Sequence, residues 1–319
     1  MMVYRCEEPE YIHYVMNSGV FDYYLSQFST STINQLTGNA LNNIIIPYCL
    51  DADEKKRIVD YLYEKCSKID AIIARQEEII EKLKEYKLSI ITEAVTVGLD
   101  PNAKTKNSDV EWLGDISEES SIVPLTKQLE SIIDYRGKTP EKVDSGVFLV
   151  TARNIKNGKI DYSLSSEYVR EDDYEEIMHR GIPQIGDALF TTEAPLGQVA
   201  NIDRTDIALA QRVIKFHPKE YAVDPYYLKY WLMNSRFQNF LQSLSTGSTA
   251  TGIKASKLFM LPLVLKKMDD QKHIVEYLDT KCTSIDRLIE TKELIVDKLK
   301  AYKKSLIYEV VTGKKELPV

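Results

Sequence analysis

The strongest constraint on the fold of this chain is an internal repeat. Residues 58–96 and residues 274–312 carry the same sequence at a constant offset of 216, with 21 of 39 aligned positions identical. The similarity extends upstream at the same offset, from Pro9 in the first copy and from Pro225 in the second. A repeat of this length indicates a duplicated structural unit and not a coincidence of composition.

The length of the repeated unit sets the expected organisation of the chain. A proline also precedes each long stretch, at Pro47 and Pro262, if a one-residue gap is allowed. Two complete units would need roughly 430 residues, whereas the chain has 319. The part without a counterpart is the beginning of the first unit, so we expect the chain to begin within a domain.

Each long stretch is predicted to form one unbroken helix. Residues 53–96 and 269–312 contain no Gly or Pro, and their apolar residues recur at a period near 3.5, which is typical of a coiled-coil seam. Heptad position a is assigned to Leu62, Ile69, Gln76, Leu83 and Ile90, and in the second copy to Leu278, Ile285, Lys292, Leu299 and Leu306. Heptad position d is assigned to Ile72, Ile79, Tyr86, Leu288, Ile295 and Tyr302, with Ile73 and Ile80 widening the stripe.

Because both copies carry the same stripe, the two helices are predicted to pack as an antiparallel coiled coil about a pseudo-twofold axis. At 1.5 Å per residue each helix would reach roughly 60 Å, which is the length of a spacer. The central a positions are polar in both copies, Gln76 and Lys292. Either these residues meet near the middle of the pair and fix its register, or both reach solvent at a frayed seam.

Between the helices, the helical period gives way to short apolar or alternating runs separated by Gly, Pro and Asn. This pattern predicts an α+β globular domain with a curled, mainly antiparallel sheet. The candidate strands are residues 147–151, 188–191, 198–202 and 212–216, and the candidate helices are residues 225–233 and 236–244. The predicted domains are an end fragment of a first globular domain (1–50), a first long helix (51–100), a complete globular domain (101–265) and a second long helix (266–319).

Composition and motifs exclude several classes of function. The net charge of −7 argues against a surface that binds phosphates everywhere, although a local basic face remains compatible with it. The sequence has no phosphate loop, dinucleotide fingerprint, HExxH or GxSxG motif, and its four cysteines and four histidines are scattered. We therefore predict no catalysis and no metal site. Without a signal peptide or a long apolar run, a cytoplasmic location is expected.

Polar and basic loops are the main chemical signal. Arg and Lys pair with guanine edges or phosphates, Asn and Gln with adenine, and Ser or Thr with phosphate oxygens. The alternative is that these glycine-flanked loops are ordinary turns. The candidate DNA-contacting residues are Arg136, Lys138, Thr139, Arg153, Asn154, Lys156, Thr191, Thr192, Gln211, Arg212, Ser248, Thr249 and Lys254.

Together these features resemble the specificity subunit of type I restriction-modification systems, over essentially the whole chain. The resemblance rests first on the long helix that begins QKHIVEYLDTKC at Gln271 and on its earlier copy. It rests also on a series of short motifs, in order WLG at 112–114, DYRGKTP at 134–140, GDALF at 186–190, PLGQ at 195–198, STGST at 245–249 and LPL at 261–263.

The resemblance implies two target recognition domains, each reading one half of a split DNA sequence, held apart by an antiparallel helix pair. It implies a subunit that has no catalysis and binds no cofactor of its own. Such a subunit binds double-stranded DNA and docks two adenine methyltransferase subunits, and a restriction and translocase subunit joins them. S-adenosylmethionine, ATP and Mg would then belong to the partner subunits.

The chain departs from the family pattern in its first half. Residues 1–50 correspond only to the last part of a recognition domain, residues 217–265 of the complete copy, and nothing matches residues 116–216. The first domain therefore lacks its DNA-reading loops, apart from the loop at residues 29–32, which matches the loop at Ser245. We expect one reading domain, with a second half-site supplied by self-dimerisation or by a complementing fragment. The alternative is a truncated assembly protein that binds methyltransferase without reading DNA. An independent nuclease is disfavoured, because no carboxylate cluster stands out.

Overall fold

The structure is a computed structural model that describes residues 6–20, 22, 44–135, 140–246 and 252–317. It divides into two compact units, the first made of Met1–Lys84 with Asp286–Val319 and the second of Glu85–Ile285. The helices, numbered along the chain, are α1 (Pro9–Asn17), α2 (Ala52–Thr96), α3 (Tyr174–Ile177), α4 (Pro225–Met233), α5 (Ser235–Leu244) and α6 (Met268–Val311). The two long helices α2 and α6 begin and end within one residue of the predicted stretches.

The first unit is built on the antiparallel packing of α2 and α6. Lys303 pairs with Asp70 at 2.6 Å and Lys300 with Glu77 at 3.0 Å, so the residue numbers rise on one helix as they fall on the other. Apolar side chains from both helices and from α1 form a common core, which includes Tyr11, Val15, Ile58, Leu62, Ile69, Ile73, Ile80, Val296, Leu306, Ile307 and Val310.

The seam lies one heptad position away from the predicted one. Most residues assigned to a are buried, but Ile72, Tyr86, Leu288 and Tyr302 at the predicted d positions are 47–55% exposed. Buried apolar residues instead follow seven of the ten a positions by four residues, and they are Cys66, Ile73, Ile80, Ala94, Cys282, Val296 and Val310. The alternating spacing of four and three is that of a coiled coil. The predicted spacing therefore agrees with the structure, but the residues assigned to position d were wrong.

The polar a positions do not meet. The two ion pairs set a register that places Gln76 level with the region of Lys300, eight residues beyond Lys292. At 1.5 Å per residue this separates Gln76 from Lys292 by about 12 Å along the helix axis, so the first of the two alternatives, contact between them, is wrong. The Gln76 side-chain oxygen is buried and has no hydrogen-bond partner in the described part of the chain.

The duplication seen in the sequence is repeated in matching contacts. Helices α1 and α4 have the same bounds at the offset of 216. Tyr11 is buried in the first unit, where its hydroxyl accepts a hydrogen bond from the Cys49 amide at 3.2 Å. Its counterpart Tyr227 is buried in the second unit and donates to the Val264 carbonyl at 2.7 Å. In each copy a buried tyrosine thus anchors the segment that precedes a long helix.

The second unit is an α+β domain with open sheets. Its strands are β1 (Thr105–Asn107), β2 (Asp115–Ser117), β3 (Ser121–Pro124), β4 (Leu129–Asp134), β5 (Val147–Val150), β6 (Ile155–Lys156), β7 (Lys159–Ile160), β8 (Tyr168–Val169), β9 (Ala188–Thr191), β10 (Val199–Asn201), β11 (Ile207–Leu209), β12 (Val213–Pro218) and β13 (Pro262–Leu265). The largest sheet has the order β10-β9-β12-β4 and is antiparallel throughout. A second sheet, β11-β5-β8, contains the parallel pair β11 and β5.

The core of the second unit lies between these sheets and is formed by β-branched and aliphatic residues. It includes Leu149, Val150, Ile155, Val169, Leu189, Ala200, Ile202, Ile207, Leu209 and Val213. A charged network is buried with them: Lys215 lies 2.6 Å from Asp187, and both side chains are at most 3% exposed. Lys215 also donates to the Ile182 carbonyl at 3.1 Å, and His217 lies 2.5 Å from the other Asp187 oxygen. This pairing compensates the desolvation of both charges.

A buried lysine closes the end of α2. Lys266 donates to the carbonyl of Thr96 and to the hydroxyl of Ser120, both at 3.1 Å. Carbonyls at a helix C-terminus lack intrahelical partners, and a lysine there satisfies them. Burial lowers the pKa of Lys266 to about 8, although Asp270 and Glu119 oppose the shift.

Across the described residues, no helix is both long and apolar enough to cross a membrane.

Candidate nucleic-acid interface

Three loops of the second unit meet at one backbone position. The end of β9, the start of β12 and the segment after the loop at 247–251 are joined through Thr192. The Thr192 amide donates to the Arg212 carbonyl, and the Ile253 amide donates to the Thr192 carbonyl, both at 2.9 Å. Glu193 and Gly252 also form an antiparallel bridge. The backbone thus fixes these loops relative to each other before any ligand is present.

A cleft of about 260 Å³ lies beside this junction. Its walls bring together residues far apart in the sequence, namely Pro140, Lys142, Leu149, Thr151, Ala152, Arg153, Glu167, Ala194, Ala210, Gln211 and Arg212. Three of the predicted DNA-contacting residues, Arg153, Gln211 and Arg212, therefore line one concave surface. Gln211 is half-buried, and both arginines are exposed.

Arg212 has a backbone conformation that is rare for its residue type. Its φ is +77°, in the left-handed region that favours glycine. Its guanidinium lies 2.8 Å from the Glu193 carboxylate, and both side chains are about half exposed. Strain of this kind is concentrated at functional sites, where the surrounding structure enforces it. Here the strained backbone directs a guanidinium to the mouth of the cleft.

The charges of the cleft are partly compensated within the protein. Lys142 pairs with Glu167 at 2.7 Å, as Arg212 does with Glu193. Arg153 is exposed and forms no ion pair with any described residue. The Arg212–Glu193 pair is about half exposed, and exposed pairs contribute about 0–1 kcal/mol. An anionic ligand can therefore replace the Glu193 carboxylate as the partner of Arg212, whereas the Glu167 side chain is only 19% exposed.

Asn154 does not face DNA, which corrects the expectation for this residue. Its side chain is fully buried and uses its whole hydrogen-bonding capacity. The oxygen accepts from the amide and hydroxyl of Thr151, and the nitrogen donates to the carbonyls of Asp161 and Ser165, all at 2.9–3.0 Å. Asn154 therefore holds the loop that presents the exposed side chains of Arg153 and Lys156.

Thr191 and Thr192 are also buried, and the expectation that they contact DNA is corrected in the same way. The Thr191 hydroxyl donates to the Pro195 carbonyl at 2.5 Å and accepts from the Gln198 amide at 2.9 Å. The Thr192 hydroxyl donates to the Arg212 carbonyl at 3.2 Å. These side chains stabilise the turn after β9 and the strained backbone of Arg212.

Lys254 is exposed directly after the junction formed by Gly252 and Ile253, and its contact with DNA stays a prediction. The remaining candidates, Arg136, Lys138, Thr139, Ser248 and Thr249, lie outside the described residues, as does the loop at residues 29–32. The flank of the loop at 136–139 is firmly held. Tyr135 donates to the Gly181 carbonyl at 2.6 Å, Arg180 donates to the Asp134 carbonyl at 2.6 Å, and burial raises the pKa of Tyr135.

Lys142 and Glu167 line the cleft but were not among the residues predicted from the sequence. Lys142 follows the predicted loop at residues 134–140 by two residues, and nothing in the sequence marked Glu167. Glu193, in the predicted polar loop at residues 191–193, pairs with Arg212 beside the cleft. No group of His, Cys, Asp and Glu suited to hold a metal ion occurs in the described portion of the chain. The cleft thus presents hydrogen-bond donors and three cations, two of them paired with carboxylates, which suits the recognition of an anionic, hydrogen-bonding ligand.

An α+β domain whose loops converge on such a cleft, with a long helix before and after it in the sequence, has the features of a recognition module. Residues 126–304 match the family model of the type I restriction modification DNA specificity domain, and the chain belongs to this family. The resemblance noted in the sequence is thereby confirmed. Specificity subunits are the non-catalytic, target-recognising components of restriction-modification complexes.

Known relatives share this description over most of the chain. The chain is 27% identical to the type I restriction enzyme MjaVIII specificity subunit of Methanocaldococcus jannaschii, covering 91% of this chain and 66% of the relative. It is 22% identical to the EcoBI specificity subunit of Escherichia coli, covering 79% of this chain and 54% of the relative. The chain therefore spans less than two thirds of the length of either relative.

A solved structure has the same fold. It comes from work on complex assembly and conformational transition of the type I restriction-modification system. The TM-score is 0.68 at 16% identity, and the match covers 97% of this chain and 72% of the solved one. At this identity the similarity supports the α+β fold with long helices.

Proposed function

We propose that this chain reads one half of a bipartite DNA target through the cleft of its second unit and docks adenine methyltransferase subunits. The observation that carries the proposal is the convergence of Arg153 and Arg212 on one cleft, in a chain of the specificity family. Arginine is the side chain best suited to bidentate pairing with guanine edges and phosphates. The buried residues Asn154 and Thr192 would set the positions of these two arginines without touching DNA.

Exposed apolar side chains on the long helices support the docking part of the proposal. Ile72, Leu288, Leu294 and Tyr302 are 47–55% exposed in the first unit. Large apolar residues that recur along exposed helix faces are typical of protein interfaces. The methyltransferase and a restriction subunit would bring S-adenosylmethionine, ATP and Mg, and this chain would bring the target sequence.

Methylation mapping tests the reading function directly. The chain is co-expressed with a cognate methyltransferase subunit, and methylated adenines are mapped across the genome. We expect a new methylation motif, and its specificity should relax at one position in Arg153→Ala or Arg212→Ala. Arg204→Ala is the matched control, because Arg204 is equally exposed and also pairs with a carboxylate, Asp206, but does not line the cleft. Absence of any new motif would refute the reading function.

A mobility-shift titration separates a reader from a pure assembly protein. A reader binds DNA with a salt dependence set by its phosphate contacts and retains a preference for sequence. An assembly protein binds the methyltransferase but shows no sequence preference of its own. Loss of Arg153 should weaken binding by about 1–3 kcal/mol if it reads a base, or reduce the salt slope by about 1 if it contacts a phosphate.

A further inference from the structure

One segment of the first unit has a counterpart in the second unit that is paired as a strand. Residues 47–50, here called the open edge, correspond to strand β13 at an offset of 215. Strand β13 pairs with β3 in antiparallel register, Leu263 opposite Val123 and Leu265 opposite Ser121. In the part of the chain that the structure describes, no strand pairs with the open edge.

The second unit also shows which backbone groups of the open edge would face a partner. Pro262 and Pro124 lie opposite each other and have no amide hydrogen, so the pairs on either side of them carry the hydrogen bonds. The Leu125 amide donating to the Leu261 carbonyl at 2.9 Å agrees with this alternation. Leu263 and Leu265 therefore face β3.

In the open edge the corresponding residues are Tyr48 and Leu50. Their backbone groups make no hydrogen bond with any described residue. The Cys49 amide points the other way, to the Tyr11 hydroxyl, as the matching contact of Tyr227 with Val264 requires. The Cys49 amide is thus used within the first unit, and the alternation seen in the second unit assigns the backbone groups of Tyr48 and Leu50 to the opposite side.

The two copies differ in the burial of this segment. Leu263 is fully buried beneath its neighbours, whereas its counterpart Tyr48 is 50% exposed and Leu50 is 90% exposed. A row of unpaired amides and carbonyls beside exposed apolar side chains is a template for strand addition. The first unit therefore exposes what the second unit covers with a strand.

A cavity continues from the open edge. It measures about 440 Å³ and is lined by Pro47, Tyr48 and Cys49, by the first turns of α2 and by residues 310–317. The equivalent cavity of the second unit is lined in part by Ser117–Ser120, the residues that lead into β3. A strand arriving at the open edge would bring its preceding residues over this cavity.

We infer that the open edge docks an extended segment of another polypeptide, which adds as an antiparallel strand in the register that β3 takes on β13. The segment has the chemistry of residues 121–125, two β-branched apolar residues between a serine and a Pro-Leu pair. This partner would form with the open edge the two-stranded pair that β3 and β13 form in the second unit, as a complementing chain would. The inference does not depend on DNA reading, and its test contains no DNA.

The test measures amide hydrogen exchange of the full chain with a synthetic peptide of residues 120–127, SSIVPLTK. At a peptide concentration ten times Kd, exchange through the unbound state slows about tenfold. We expect this protection at Tyr48 and Leu50 but not at Cys49. Saturable protection at these two amides supports the inference, and unchanged exchange at millimolar peptide overturns it.

Two N-methylated peptides provide matched controls. Methylation at the position of Val123 removes an amide that the register directs to the open edge, whereas methylation at Ile122 alters one that points away. We expect the first peptide to give no protection and the second to protect like the parent. Equal behaviour of both peptides would overturn strand addition. Protection that rises with protein concentration in the absence of peptide would show a second copy as the occupant instead, and would overturn the proposed partner.

Discussion

The left-handed backbone of Arg212 leads to a prediction that inverts an ordinary rule of protein stability. At most positions replacement by Ala is less destabilising than replacement by Gly, because Gly loses more backbone entropy on folding. With φ at +77° we expect the opposite order at this position. Arg212→Gly should be more stable than Arg212→Ala.

The magnitude follows from two opposing effects. A residue with a Cβ costs roughly 1–2 kcal/mol in the left-handed conformation. The Gly variant loses about 0.4–1 kcal/mol of this advantage, because Gly gives the unfolded chain more conformational entropy. Both variants lose the same half-exposed ion pair with Glu193, so this loss cancels in the comparison. Arg212→Gly should therefore exceed Arg212→Ala by about 1 kcal/mol in free energy of unfolding.

Urea denaturation followed by tryptophan fluorescence measures this difference, because both tryptophans, Trp112 and Trp231, belong to the second unit. Arg204 is the control, since it has a similar exposure and no positive φ. There the Ala variant should be the more stable of the two. If Arg212→Ala equals or exceeds Arg212→Gly, the proposed strain is refuted. In DNA binding the two Arg212 variants should be equally weakened, because both lack the guanidinium.

Three further predictions concern buried polar groups. Asn154→Ala should lower the free energy of unfolding by about 2–4 kcal/mol by leaving several buried groups unsatisfied, and it should weaken DNA binding; unchanged urea midpoints would contradict this. Asp187→Asn should cost about 3–5 kcal/mol because it leaves the charge of Lys215 buried without its partner, as tryptophan fluorescence would show; a cost under 1 kcal/mol would argue against the pair. From the lowered pKa of Lys266, stability should rise between about pH 8 and pH 10, because the unfolded chain keeps a proton that the folded chain has lost. The free energy of unfolding should rise by nearly 1.4 kcal/mol per pH unit, and Lys266→Met should remove this rise. If the pH profiles of the original chain and the variant run parallel, Lys266 is not its source.

The sequence predicted the long helices almost to the residue, because a stretch of more than forty residues without Gly or Pro and with a regular apolar period has few alternatives. It predicted the seam less well. Adjacent isoleucines occur at Ile72 and Ile73, and again at Ile79 and Ile80. Only packing decides which member of each pair faces the other helix. The assignment to heptad positions was therefore wrong by one residue, although the predicted spacing agrees with the structure.

The candidate site shows a different limit. Asn154 and Arg153 are neighbours in a polar loop, and the residue types alone suggest DNA contact for both. The amide of Asn, however, also satisfies backbone groups within a loop, which is the role that Asn154 has. Nothing in the sequence indicates the positive φ of Arg212, which depends on contacts with a turn twenty residues away.

The division of the chain into units also bears on the order of folding. The second unit is one continuous segment, whereas the first joins the two ends of the chain, with Ile58 and Val310 in one core. During synthesis the second unit can fold as soon as it has left the ribosome, but the first must wait for the last residues. Prior folding of the second unit replaces a long flexible connection with a compact one and reduces the entropy lost when the ends join. A variant that slows folding of the second unit should therefore also delay completion of the first.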